Sequence, residues 1–203
     1  MATRPPKLLP LIVSGIAAVL LACAVALLLV GRPAPAPAPQ AAAVGGPFTL
    51  TDGDGKTVTA ASLHGKYLLV YFGYTFCPDV CPTTLADVAQ ALDTLGTAAD
   101  RVQPLFITVD PARDTPAVMQ RYVTAFSPRI EGLTGTPDEI AAVAKKYHVY
   151  YARHQEPGTQ DYTMDHSSVL YVMGPDGGFV GIVRADQGPD GIARDLAGMM
   201  RPT

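Results

Sequence analysis

Cys77 and Cys81 stand four residues apart in Cys77-Pro-Asp-Val-Cys81-Pro82, close enough for the two sulfurs to converge on one metal ion or to close a disulfide of adequate geometry. Pro82 suits the first position of a helix, which places Cys81 at that helix's amino end. Unpaired N–H groups and the helix dipole favour thiolate over thiol there, so both sulfurs are expected to ionise easily. Two blander roles compete. Free cysteine is among the most buried residue types, and a structural disulfide is the other option, although a loop this short removes little entropy from the unfolded chain. The third cysteine, Cys23, lies far upstream in an apolar run.

A third donor separates metal binding from dithiol chemistry. Of the four histidines, His64 precedes an apolar run, His148 follows a helical pattern and His154 sits in the polar stretch 153–163; each reads as a surface residue. His166 differs, because Tyr162-Thr-Met-Asp-His-Ser-Ser168 leads directly into a strand pattern. In a thioredoxin-like arrangement such a loop lies beside the turn that carries the cysteines. Cys77, Cys81 and His166 then form a set of soft and borderline donors suited to trigonal Cu(I) and, by ligand type, also to Cu(II) or Zn(II). Met164 is a possible soft accessory ligand but reads better as a packing residue.

The elements that must position these groups are legible as periodicities. Residues 67–74, YLLVYFGY, read as a buried strand, and Leu85, Val88, Ala89 and Leu92 mark an amphipathic helix over 83–95 ending at Gly96. The cysteines therefore fall between a strand and the following helix, where open α/β sheets present ligands. A strand over 102–109, a helix over 115–126 with Pro116 in its first turn, and a helix over 136–146 with Thr136, Pro137 and Glu139 at cap positions come next. Residues 168–173 and 179–183 read as a hairpin around Gly174-Pro-Asp-Gly-Gly178, followed by a helix from about 190 to 200. A small hairpin, 48–50 with 57–59 around Asp52-Gly-Asp-Gly55, stands in front. This order is that of an α/β, thioredoxin-like domain with an added N-terminal hairpin.

Residues 8–30 form an uncharged run of 23 residues, long enough at ~1.5 Å per residue to cross a hydrocarbon core of ~30 Å. Arg4 and Lys7 precede it and Arg32 alone follows, which predicts a cytoplasmic tail (1–7), one transmembrane helix (8–30) and an exported C-terminal domain. Leu20-Leu-Ala-Cys23 is similar to a lipoprotein cleavage box, yet the apolar run continues past Cys23, so a retained helix is the better reading. Residues 31–47, alternating Pro and Ala, read as an extended spacer, leaving 48–203 as one domain. Arg4, Lys7 and Arg32 are the only charges before Phe48, so of 15 basic and 18 acidic side chains the domain keeps 12 and 18. That balance argues against nucleic-acid binding, and three cysteines are too few for a disulfide-stapled scaffold.

Five stretches carry a family resemblance: Tyr71-Phe-Gly-Tyr-Thr-Phe-Cys-Pro-Asp-Val-Cys-Pro82, Thr108-Val-Asp-Pro-Ala-Arg-Asp-Thr-Pro116, Gly132-Leu-Thr-Gly135, Ala144-Lys-Lys-Tyr-His-Val-Tyr-Tyr151, and Asp165-His-Ser-Ser168 with Gly174-Pro-Asp-Gly177. In that order they resemble the Sco/SenC proteins, membrane-anchored thioredoxin-like copper proteins that serve assembly of cytochrome c oxidase. The resemblance implies that Cys77, Cys81 and His166 bind one copper ion per chain and pass it to the binuclear copper site of oxidase subunit II. It also implies a second activity, reduction of the cysteines of that target. It places the protein in the inner (cytoplasmic) membrane with its C-terminal domain on the periplasmic side. Pro111, Arg113, Asp114 and Pro116 match a family signature to which a loop-shaping or partner-docking role is assigned; a plain structural turn and helix cap accounts for them equally. Two functions follow, a copper-delivering assembly factor and a thiol-disulfide oxidoreductase. His166 discriminates, because a dithiol needs no distant imidazole and three-coordinate copper does.

Overall fold

The computed structural model describes residues 16, 17, 19–25, 44–155, 158 and 161–200. The chain divides into two units, Met1–Ala41 and Ala42–Thr203. In the first, residues 16, 17 and 19–25 are helical with exposed side chains. Most of the expected span 8–30, the tail 1–7 and nearly all of the spacer lie outside the described residues, among which no helix is long and apolar enough to cross a membrane.

In the second unit the sequence's hydrophobic pattern becomes a five-stranded sheet. Strands β3 (Tyr67–Gly73), β4 (Val102–Thr108) and β5 (Glu131–Leu133) run parallel, and β8 (Val169–Met173) and β9 (Phe179–Arg184) continue antiparallel, in the order β5-β4-β3-β8-β9. β3 is the middle strand and buries every side chain from Leu68 to Phe72, as a strand covered on both faces must. Its connection to β4 is helix α1 (Val80–Leu95), which packs along the last helix, α4 (Gly188–Met199). Helix α2 (Pro116–Thr124) joins β4 to β5, and α3 (Pro137–Lys146) follows β5. Both α2 and α3 start as the sequence predicts. Thr115 and Thr136 accept the N–H of Val118 and Glu139, and Glu139 reaches back to the Thr136 amide.

The expected front hairpin is β1 (Thr49–Thr51) with β2 (Thr57–Thr59), its turn closed by the Asp52 carboxylate, which accepts the Asp54 and Lys56 amides at 2.9 and 2.8 Å. Thr51 and Thr134 exchange backbone bonds of 2.7 and 2.8 Å and fasten this hairpin to the end of β5. The residues just before Phe48 bond to the domain: Gly45 donates to the Lys146 carbonyl at 2.8 Å, and Lys146 Nζ donates to the Pro47 carbonyl.

Two differences from the sequence reading bear on the site. The stretch expected to be polar loop is a second antiparallel hairpin, β6 (Tyr151–Gln155) with β7 (Tyr162–His166), forming a two-stranded sheet of its own. The sequence of β6 carries no apolar stripe: its residues opposite Met164 and Thr163 are Arg153 and His154, so the period-2 pattern of a half-buried strand is absent from that strand, and β7 alone offers only Tyr162 and Met164. Helix α1 starts at Val80 rather than Thr83, which places Cys81 inside the first turn and makes Pro82 the third helical residue instead of the first. The missing N–H of Pro82 costs nothing there, since the first-turn donors have no intrahelical partner.

Candidate metal centre

Three elements bring the donors together. The loop leaving β3 carries Cys77, the first turn of α1 carries Cys81, and the last residue of β7 is His166. One donor atom from each residue lies within 4.8 Å of the others, and among the described residues this is the sole such group of three or more His, Cys, Asp or Glu side chains. His166 thus ends a strand rather than sitting in a loop, and its alternation places Met164 on the same face, packed against the core. His64, His148 and His154 are exposed, as expected.

Cys81 is completely buried and Cys77 half-buried, and both are free thiols. The Cys81 amide donates to Cys77 Sγ at 3.4 Å, and Cys81 Sγ lies 3.3 Å from His166 Nε2. His166 Nδ1 is 3.2 Å from the Ser167 carbonyl, which can only accept. In the neutral imidazole the proton therefore sits on Nδ1, and the Nε2 lone pair is left facing the sulfurs. The rings of Tyr71 and Tyr74 stand edge-on to the imidazole at 6.0 and 5.9 Å, and the Tyr71 hydroxyl reaches Cys81 Sγ at 3.8 Å.

The expectation that both sulfurs ionise easily holds for one of them. The thiol of Cys81 donates to Cys77 and, despite the cost of burial, lowers its pKa to about 5, helped by the amides of Cys81 and Asp79. The same shared proton, together with burial, pushes Cys81 above the ordinary thiol range. The helix amino end thus serves Cys77, which takes the first-turn N–H, while Cys81 is enclosed by the core. Placing one negative charge on the pair makes a second expensive without a cation.

Gly73, Asp110 and Tyr162 complete the enclosure together with Arg113 and Asp114, the two signature residues that the structure places beside the cysteine loop. A Cβ on Gly73 would lie 2.7 Å from Cys81 Sγ and 2.7 Å from Phe106, so the end of β3 must be glycine for the sulfur to sit where it does. Asp114, fully buried, accepts the Thr75 amide at 3.1 Å and the Thr75 and Thr108 hydroxyls at 2.6 Å each, tying the cysteine loop to the end of β4. Arg113 pairs with Asp110, and Asp110 accepts the Tyr162 hydroxyl at 2.8 Å. Glycine at a strand end beside a cysteine loop was a readable signal; Tyr162 and Asp110 carried none. An apolar groove of about 490 Å³ opens beside the centre, between Asp79 and Val80 on one side and Ser168, Val169 and Ala185 on the other.

The model of the SCO1/SenC family matches residues 36–201. The human mitochondrial SCO1 homolog is 42% identical over 161 residues, covering 78% of this chain and 54% of that protein. The chain spans about half the length of the first curated relatives it matches, 54% and 48%. Among solved structures, Bradyrhizobium japonicum ScoI with copper bound superimposes with a TM-score of 0.72 at 48% identity, covering 78% of this chain and all of that one. BsSco, described as having a disulfide switch and as a member of the Sco family of cytochrome c oxidase assembly proteins, gives a TM-score of 0.60 at 26% identity, covering 77% and 93%.

Proposed function

Because the chain belongs to the SCO1/SenC family, we propose that it is a copper-binding assembly factor for cytochrome c oxidase. It takes one copper ion on Cys77, Cys81 and His166 and delivers it to the binuclear copper site of subunit II. The observation that carries this reading is the convergence of two sulfurs and one imidazole nitrogen within 4.8 Å, contributed by three separate elements. Two sulfurs and a neutral imidazole suit a soft, thiophilic ion of low coordination number. A relative of 48% identity is known with copper bound, which supports copper over zinc.

The residues define how cargo is held and released. The single negative charge on the sulfur pair and the Nε2 lone pair accept the ion, and loading displaces the proton shared by the sulfurs. The hydrogen bond from Nδ1 to the Ser167 carbonyl holds the imidazole in the tautomer that binds. Cys81 is sealed in the core and Cys77 is half-exposed beside exposed Phe76, so an acceptor approaches from the Cys77 side. The proposed organisation remains a tail over 1–7, a membrane anchor over 8–30, a spacer over 31–47 and a domain over 48–203 on the periplasmic side. This places the site above the membrane that holds the oxidase.

A second reading has its own support in the low Cys77 pKa, about 5. Cys77 thiolate attacks a disulfide of the target, one target sulfur leaves as thiolate, and Cys81 then attacks the mixed disulfide. Two electrons pass to the target, and the chain is left with a Cys77–Cys81 disulfide. Replacing His166 with alanine separates the readings. Full-length chain, reduced and loaded anaerobically with copper, is expected to lose stoichiometric copper against a competing chelator on His166→Ala, while its dithiol still cycles to disulfide and back. Oxidase assembly in cells fails with it. Normal assembly with His166→Ala and arrested assembly with Cys81→Ala would reject copper delivery in favour of the reductase.

A further inference from the structure

His166 reaches the sulfurs only if the β6–β7 hairpin is held against the cysteine loop, and that hairpin is not part of the central sheet. Covalent continuity with β8 and packing of Tyr151 and Met164 on the core hold it in part. Several further ties are made by one side chain. Arg113 Nη1 donates to the Tyr162 carbonyl at 3.0 Å, four residues before His166. Its guanidinium carbon lies 3.6 Å from the centroid of the Tyr162 ring and 4.6 Å from that of Phe76, the residue before Cys77. It also lies 5.7 Å from the Tyr74 ring, which stands edge-on to His166.

Two further contacts fix this arrangement. Arg113 Nε donates to Asp110, whose carboxylate accepts the Tyr162 hydroxyl at 2.8 and 3.1 Å. Arg153 lies 3.7 Å from the same Tyr162 centroid. Two guanidinium groups cannot share one face of a ring at these distances, so Tyr162 is held between them. The pair of Arg113 and Asp110 is largely buried, with side chains 21% and 5% exposed, so removing either partner leaves the other charge buried and uncompensated, which costs more than breaking a surface pair. The fork and plane of arginine let one residue hydrogen-bond in-plane to β7 and to Asp110 while stacking on rings from both the hairpin and the cysteine loop.

We propose that Arg113 is a positioning residue for His166: it clamps the β6–β7 hairpin onto the loop that carries Cys77, so that the imidazole is in place before an ion arrives. This rests on the copper-binding reading of the same site. Loss of partners that orient a metal ligand commonly costs about 10- to 100-fold in metal affinity. Full-length chain is loaded anaerobically with Cu(I) and titrated with a competing chelator as wild type, Arg113→Ala, His166→Ala and the double variant. Affinity is expected to fall about 10- to 100-fold on Arg113→Ala and not to fall further when Arg113→Ala is added to His166→Ala, because the arginine acts through the histidine.

Hydrogen exchange of the metal-free chain gives an independent readout. Amides of 162–166 are expected to exchange faster in Arg113→Ala, with those of β3 and β4 unchanged. If Arg113→Ala does not fold, Arg113→Lys, which keeps a charge beside Asp110 without the planar fork, enters the same cycle. Wild-type affinity in Arg113→Ala, an equal loss in both backgrounds, or unchanged exchange in β7 would overturn the clamp. A wild-type chain that does not bind copper would overturn the copper reading instead, and exchange in β7 would then judge the clamp alone.

Discussion

Replacing Asp114 with alanine strips the acceptor from three donors at once: the Thr75 amide and the hydroxyls of Thr75 and Thr108. Hydrogen bonds to a charged group contribute about 1.5–3 kcal/mol each, and an orphaned buried donor costs about 1–3 kcal/mol. Thr108 is fully buried but its hydroxyl also accepts the Asp110 amide at 2.8 Å, and half-buried Thr75 recovers some bonding from water. The loss is therefore expected to total about 3–5 kcal/mol, a large share of the ~5–15 kcal/mol of a typical domain. At about 2–4 °C per kcal/mol this lowers Tm by about 6–20 °C. Asp114→Asn tests the inventory itself. Its carbonyl can accept from the Thr75 amide and the Thr108 hydroxyl, while its NH₂ donates to the Thr75 oxygen once that hydroxyl rotates, so the expected loss is only about 1–2 kcal/mol.

The same comparison carries a pH signature. Burial holds the Asp114 carboxyl above its ordinary value, against the opposing pull of Thr108 and Thr75. A carboxyl whose pKa is raised on folding contributes stability that is complete below its unfolded value, ~3.9, and is lost as pH rises through the folded value. Wild type should therefore lead Asp114→Asn by most in acid, and the gap should narrow as pH rises before levelling. Denaturant unfolding of the reduced, metal-free chain across pH 3–8 measures this. An asparagine variant as unstable as the alanine variant, or a gap that widens with pH, would refute the reasoning.

The lowered Cys77 pKa, about 5, and the raised one of Cys81 predict selective alkylation: iodoacetamide should label Cys77 at a nearly constant rate from pH 6 to 8, slow below pH 5, and leave Cys81 untouched. Cys81→Ala removes the donor that holds Cys77 low and should move its labelling midpoint up toward the ordinary thiol range; a midpoint unchanged in that variant would mean that the shared proton is not the cause. The uncharged run 8–30 behind Arg4 and Lys7 predicts that a reporter enzyme active only after export works when fused after Thr203; activity from a cytoplasm-only reporter at that point would refute the orientation.

By itself the sequence determined what is local. Apolar runs of β3 and β4, the 3.6-residue stripe of α1, Pro116 in the first turn of α2, the cap at Thr136 and the Asp52 and Gly174–Gly178 turns are each decided within a dozen residues, and each appears where the spacing places it. Cys77 and Cys81 were legible for the same reason, since four residues separate them in one loop-to-helix junction. His166 stood out only through the residues around it and the expected adjacency of its loop; 85 residues separate it from Cys81, and the 3.3 Å approach is a property of the packed chain.

Tertiary structure decided the asymmetry of the sulfurs, because burial and proton sharing depend on which one the core encloses. It also decided the placement of β6–β7, a hairpin with exposed or half-exposed side chains that is held by Tyr151 and Met164 on the core and by Arg113, brought from the segment after β4, on the ring of Tyr162. Arg113 and Asp114 are neighbours in sequence, yet they hold different things, a hairpin and a loop, because successive residues of a turn point to different sides and only the fold supplies what lies there.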